Sequence, residues 1–204
     1  MIKAKQTTTP LPPGVKLFAD TDTGAALTDP SRYRRLVGRL LYLGFTRPDL
    51  CYVVQQLSQH LQHPCEKHWD AAMHVVRYLK GSVSSGLYFP LNTNFSLKVF
   101  CDADWAACQS TRKSLTGFCI FLGQTPISWK TKKQTTVARS SAEAEYRSMA
   151  STTCEVVWLI YLLQTFGIKV QLPVPFFCDN KAVIHITVNP VFHERTKHLE
   201  ITAM

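Results

Sequence analysis

The hydrophobic rhythm of this chain changes once. From residue 30 to residue 81 apolar side chains recur at helical spacing, and after Gly86 they gather into short strand-like runs. In the first stretch Asp29-Pro30 reads as an N-cap followed by a proline in the first turn. Tyr33, Leu36, Leu40 and Leu41 continue that helix. Thr46-Arg47-Pro48-Asp49 breaks and restarts the chain, and Leu50, Val53, Val54, Leu57 and Leu61 share the face of a second helix. A third helix follows His63-Pro64, with Trp69, Met73, Val76 and Leu79, and ends at Lys80-Gly81. In the second stretch, strands are predicted over 97–101, 116–122 and 126–130, with a tight turn at Gly123-Gln124-Thr125. A long helix over 141–166, a fourth strand over 176–178, a short helix over 180–187 and a last helical piece near His193 complete the order. Three consecutive strands and a fourth beyond a long helix predict an α/β fold, a mixed sheet with flanking helices, behind a three-helix block.

Three segments follow from this pattern: an irregular lead-in over 1–28, a helical segment over 29–86 and the α/β segment over 87–204. A chain of 204 residues with 46% hydrophobic content can build a real core, which excludes wholesale disorder. Lys and Arg number 23 against 14 Asp and Glu, a net charge of +9 that suits a polyanionic partner. Seven cysteines in no tight framework, and no apolar leader, predict an intracellular, non-secreted protein with free thiols. The longest apolar run is too short to cross a membrane. His60, His63, Cys65 and His68 match no paired zinc spacing and read as a helix end with solvent-facing histidines. The four tryptophans read as core.

Three acidic positions stand at comparable places: Asp102 at a strand end, Glu145 in the first turns of the long helix and Asp179 at the end of the fourth strand. If the first and fourth strands are neighbours, these ends converge. Grouped carboxylates repel one another unless divalent cations lie between them, and their hard oxygens suit Mg²⁺. Ser140-Ser141-Ala142-Glu143 reads as a capping box, and Glu143 also has Arg147 at i+4. Glu145 is thereby the better ligand of the two glutamates. Asp102 and Asp104 fall on one face of their strand, so periodicity does not choose between them.

Longer strings now add to these single residues. Cys101-Asp102-Ala103-Asp104-Trp105, Arg112-Lys113-Ser114-Leu115-Thr116-Gly117, Pro126-Ile127-Ser128-Trp129, Ser140-Ser141-Ala142-Glu143-Ala144-Glu145-Tyr146 and Cys178-Asp179-Asn180-Lys181 resemble the ribonuclease H domain of Ty1/copia-type LTR retrotransposon Pol polyproteins. Tyr33-Arg34-Arg35-Leu36-Val37-Gly38, Thr46-Arg47-Pro48-Asp49, His68-Trp69 and Arg77-Tyr78-Leu79-Lys80-Gly81 resemble the segment that connects reverse transcriptase to that domain. Asn189-Pro190-Val191-Phe192-His193 and Arg195-Thr196-Lys197-His198 continue the likeness.

The resemblance implies an RNase H-like fold and cleavage of the RNA strand of RNA–DNA hybrids with two Mg²⁺ or Mn²⁺ ions. Its first three acidic ligands fall on Asp102, Glu145 and Asp179, which resolves the choice between Asp102 and Asp104. The sequence contains no Asp-Asp pair, so the polymerase palm is expected to be absent. In the family a fifth strand, a final helix and a fourth acid follow, so the chain is expected to be truncated at its C-terminus. Substrate contacts are expected from Arg112, Lys113, Lys130, Lys132 and Lys133 to phosphates, and from Ser114, Thr116 and Asn180 to a 2′-hydroxyl. The reverse transcriptase portion of a Pol polyprotein is an expected partner, and a cytoplasmic particle or the nucleus the expected location. The competing reading is a noncatalytic nucleic-acid-binding or structural remnant.

Overall fold

A computed structural model describes residues 5–12, 17, 25–91 and 94–188. The chain divides into two compact units, Met1–Leu87 and Tyr88–Met204.

The first unit holds α1 (Pro30–Leu43), a short 3₁₀ turn (Pro48–Leu50), α2 (Cys51–Ser58) and α3 (Glu66–Gly81). The carboxylate of Asp29 accepts from the N–H groups of Ser31 and Arg32 and starts α1, with Pro30 in the first turn. Tyr33, Val37 and Leu40 of α1 pack with Leu50, Val53, Val54 and Leu57 and with α3 in one core. The Tyr33 hydroxyl donates to the carbonyl of Leu57 at 2.8 Å inside it.

Two expectations change here. The buried stripe of α3 is His68, Ala71, Ala72 and Val75, not the row from Trp69 to Leu79. Small alanines let α3 approach the other helices closely, while Trp69 stays at the margin under the guanidinium of Arg32, 4.3 Å from the ring centre. His68 is likewise buried rather than solvent-facing. Its Nδ1 accepts from the Cys65 N–H at 3.0 Å, and its ring stacks on His60 at 3.9 Å. Burial, and then His60, pull its pKa down to about 4, so it is neutral near pH 7. The Thr46-Arg47-Pro48-Asp49 break is a structural clamp. Buried Arg47 forks onto Asp49 at 2.9 and 2.8 Å and reaches the carbonyl and hydroxyl of Ser82, both at 2.9 Å. Burial pushes the Asp49 pKa up, but hydrogen bonds from Arg47 and Tyr78 outweigh it and hold the carboxyl below its ordinary value.

The second unit holds β1 (Leu97–Asp104), β2 (Leu115–Leu122), β3 (Thr125–Lys133), α4 (Ser141–Thr165), β4 (Phe176–Phe177) and α5 (Lys181–Val188). The sheet order is β3-β2-β1-β4, with β1–β2 and β2–β3 antiparallel and β1–β4 parallel. This mixed four-stranded α/β architecture is compatible with an RNase H-like fold. Leu122 pairs with Thr125, so the hairpin loop has two residues, and Gly123 takes the positive φ of +62° that such a turn requires. Side chains alternate along β1. Leu97, Val99, Cys101 and Ala103 are buried, while Lys98, Phe100, Asp102 and Asp104 face the other way and are exposed. Val156, Leu159 and Leu163 of α4 share the core of the buried face. The strands β1 and β3 run longer than predicted, because the polar ends 102–104 and 131–133 remain paired to β2. Trp105 and Trp158 are largely exposed rather than core residues. The helical piece expected near His193 lies outside the described residues.

Candidate metal centre and nucleic-acid interface

Parallel pairing matches Val99 with Phe176 and Phe100 with Phe177. The pairing ends there, and the chain beyond β4 brings Cys178 against Cys101 and Asp179 close to Glu145. The third carboxylate arrives on α4. Ser140 caps the helix, its hydroxyl accepting from the Glu143 N–H at 3.1 Å. Glu143 reaches back to the Arg139 N–H at 2.8 Å and pairs with Arg147 at 2.8 Å, so it is occupied structurally. Glu145, two residues on from Glu143, takes no part in this network, is turned inward and is only 5% exposed. Two bonds pin this part of α4 to β1. The Ser148 hydroxyl donates to the Asp102 carbonyl at 2.8 Å, and the Ala103 N–H donates to Glu145.

Glu145 is in contact with Asp102 and close to the charge of Asp179. Ligand atoms of Glu145, Cys178 and Asp179 lie within 4.8 Å of one another. Burial is the main cause that pushes the Glu145 carboxyl up to about 7; the Ala103 N–H opposes it, and the charges of Asp102 and Asp179 add to it. Asp104 is also raised, by burial and by Asp102, and points from the same strand face as Asp102.

Cys178 enters this cluster unannounced by the sequence, although its position beside Asp179 was a signal. Its thiol donates to Glu145 Oε2 at 3.8 Å. Burial, together with the nearby acids, raises the pKa of Cys178, and burial also raises that of Cys101 beside it. Both thiols therefore stay protonated at neutral pH. The available ligands are carboxylate oxygens, a donor set that fits a hard divalent cation rather than a thiophilic one. Mutual repulsion among three acids, one of them buried, is the energy such a cation relieves.

The expected substrate residues fall in three places. Arg112 and Lys113 lie in the turn between β1 and β2, where Arg112 adopts a left-handed φ of +53°. Thr116, Lys132 and Lys133 line a groove between β3 and α4. Ser114 and Asn180 have structural duties. Ser114 is fully buried and accepts from the Ala106 N–H at 3.1 Å, which removes it from direct contact with a sugar. Asn180 Oδ1 accepts from the Val183 N–H at 3.3 Å at the start of α5.

Comparison with known proteins gives consistent relatives. The chain is 45% identical over 201 residues to the retrovirus-related Pol polyprotein from transposon RE1 of Arabidopsis thaliana, covering 98% of this chain and 14% of that protein. It is 43% identical over 201 residues to the corresponding polyprotein from transposon RE2 of the same plant, again with 98% and 14% coverage. It is also 46% identical over 158 residues to an uncharacterized mitochondrial protein of Arabidopsis thaliana, covering 78% of this chain and 65% of that one. The chain thus spans about one seventh of the Pol polyproteins it matches. No protein-family profile and no solved structure matches it.

Proposed function

Because the chain belongs to the Pol polyproteins of copia-type retrotransposons, we propose that its second unit is a ribonuclease H-type endonuclease that cuts the RNA strand of RNA–DNA hybrids. The observation that carries this reading is the gathering of Glu145 with Asp179 and Cys178, their ligand atoms within 4.8 Å of one another, with Asp102 in contact with Glu145, which is buried and has its carboxyl raised to about 7. A protein places repelling acids together at such a cost when a ligand compensates them. Asp102, Glu145 and Asp179 would hold two Mg²⁺ or Mn²⁺ ions. The chemistry that bound ions supply is activation of a water and stabilisation of the leaving oxygen in phosphodiester hydrolysis.

The chain's own residues prepare that site. Ser148 and the Ala103 N–H fix Glu145 and the Asp102 backbone to each other, so the carboxylates keep their places as charge enters. Without a cation, a proton near Glu145 relieves the repulsion, a part that a cation held by these acids would take over. Arg112, Lys113, Lys132 and Lys133 supply positive charge to phosphates, and Thr116 supplies a hydroxyl. The first unit acts as the helical segment that joins this domain to the reverse transcriptase portion of Pol, in a cytoplasmic particle or the nucleus.

The test is a substrate panel in Mg²⁺: an RNA–DNA hybrid labelled on either strand, duplex RNA, duplex DNA and single-stranded RNA. Cleavage confined to the RNA strand of the hybrid is expected. Binding to the hybrid with no cut strand would assign a noncatalytic nucleic-acid-binding role instead.

A further inference from the structure

The second half of α4 is apolar on both sides. Val156, Leu159 and Leu163 face the sheet core, and the opposite side carries Val157, Trp158 and Tyr161. Trp158 is 55% exposed and Tyr161 66%, so more than half of each is left in water. Cys154, Val157, Tyr161 and Gln164 recur three and four residues apart, with Trp158 and Thr165 alongside, and all six are exposed. That spacing is the seam along which one helix packs on another. From Ser148 to Phe166 the sequence carries a single charged side chain, Glu155. Glu155 is drawn off the seam, accepting from the Ser128 hydroxyl at 2.8 Å. A helix without a polar face is ordinarily covered. Exposed aromatics and missing charge are also the marks of the centre of a protein–protein contact.

The partner follows from charge. The chain has a net charge of +9, so two copies repel wherever basic surfaces meet. The seam holds no Lys or Arg, and a second copy can approach it without burying a cation. A charged partner finds no ion pair on it, and a nucleic acid finds no counter-charge. The same seam turned about a two-fold axis meets itself, apolar on apolar, and antiparallel helices oppose their dipoles favourably. We propose that the outer face of α4 is a self-association surface, which a second copy of this chain covers with its own α4, antiparallel across a two-fold axis between Trp158 and Tyr161. Trp158 of each copy then lies against the partner's Tyr161. Glu145, in the first turns of the same helix, stays roughly 22 Å along it from that axis, so a dimer leaves both acidic clusters open. The pairing is independent of the nuclease reading and of its metal.

The experiment is sedimentation velocity of the full chain, freed of nucleic acid and held in EDTA, from about 1 to about 300 μM, a range that brackets weak contacts. Wild type is expected to pass from monomer to dimer. Raising the salt from about 50 to about 500 mM should tighten the dimer by screening the two basic chains from each other. Trp158→Lys and Trp158→Glu should each weaken it at least about 100-fold, since the axis removes two tryptophans at once and sets like charges side by side. An equimolar mixture of these two variants should regain a dimer, which misfolded chains would not do. Tyr42→Lys, at an exposed aromatic of the first unit, should dimerise as wild type does. A wild type that stays monomeric throughout would overturn the proposal. So would a dimer that Trp158→Lys keeps, that Tyr42→Lys loses equally, that the mixture does not regain or that salt loosens. A monomeric wild type that binds a separately made reverse transcriptase portion of Pol, and releases it on Trp158→Lys, would overturn it by assigning the seam to that partner.

Discussion

Replacing Glu145 by glutamine removes one charge from the acidic cluster without changing its shape. Burial and the neighbouring acids raise the Glu145 carboxyl from 4.5 to about 7. A raised carboxyl means that the folded state holds a proton more tightly than the unfolded one. Its contribution is therefore fully present below pH 4.5 and is lost as pH rises through about 7. Each pK unit corresponds to about 1.4 kcal/mol, so in EDTA the wild-type second unit gives up as much as about 3 kcal/mol across that window. The neutral amide introduced by Glu145→Gln does not titrate. The assay is urea denaturation at pH 5 and pH 8, followed by tryptophan fluorescence and analysed as the difference between variant and wild type. That difference cancels the titration of groups that do not interact with Glu145 and leaves that of the Glu145 cluster. The variant is expected to gain on wild type between the two pH values, and Mg²⁺ at pH 8 to stabilise wild type more than the variant. A difference independent of pH would refute the account of an electrostatically loaded Glu145.

Other expectations concern the first unit. Arg47→Ala strips Asp49 and the Ser82 carbonyl of their buried partner, and about 3 kcal/mol of stability should be lost in chemical denaturation. Asp29→Ala removes the cap of α1 and should cost about 1 kcal/mol in the same measurement, with Asp29→Asn restoring most of it. Tyr33→Phe leaves the Leu57 carbonyl without its buried donor and should cost about 1–2 kcal/mol.

Local chemistry was the most legible layer of the sequence. Asp29-Pro30, the Gly123 hairpin and the Ser140–Glu143 cap each depend on neighbours a few residues away, and the structure contains all three. The cap also showed why Glu145 and not Glu143 is left for other work. Less legible was whatever depends on distant partners. The pairing of β4 with β1, beyond which Asp179 comes close to Glu145, involves residues far apart in sequence. The buried role of His68 depends on Cys65 and on stacking with His60, and a helical periodicity that scores histidine as polar misses it. Ser114 looked like a hydroxyl available to substrate, but its place at the β1–β2 turn turns it inward to Ala106. Apolar content alone also misplaced Trp158, because the outer face of α4 carries large side chains as well as its inner one.

The proposed activity is metal-dependent cleavage by the acids of β1, α4 and the turn after β4. It is tested most directly by the rate of RNA-strand cleavage of an RNA–DNA hybrid in Mg²⁺ by wild type, Asp102→Asn, Glu145→Gln and Asp179→Asn, each checked for folding. Cleavage by wild type that falls to background in all three folded variants is the predicted result. Cleavage that survives these substitutions, or a folded wild-type chain that leaves the hybrid intact, would contradict it.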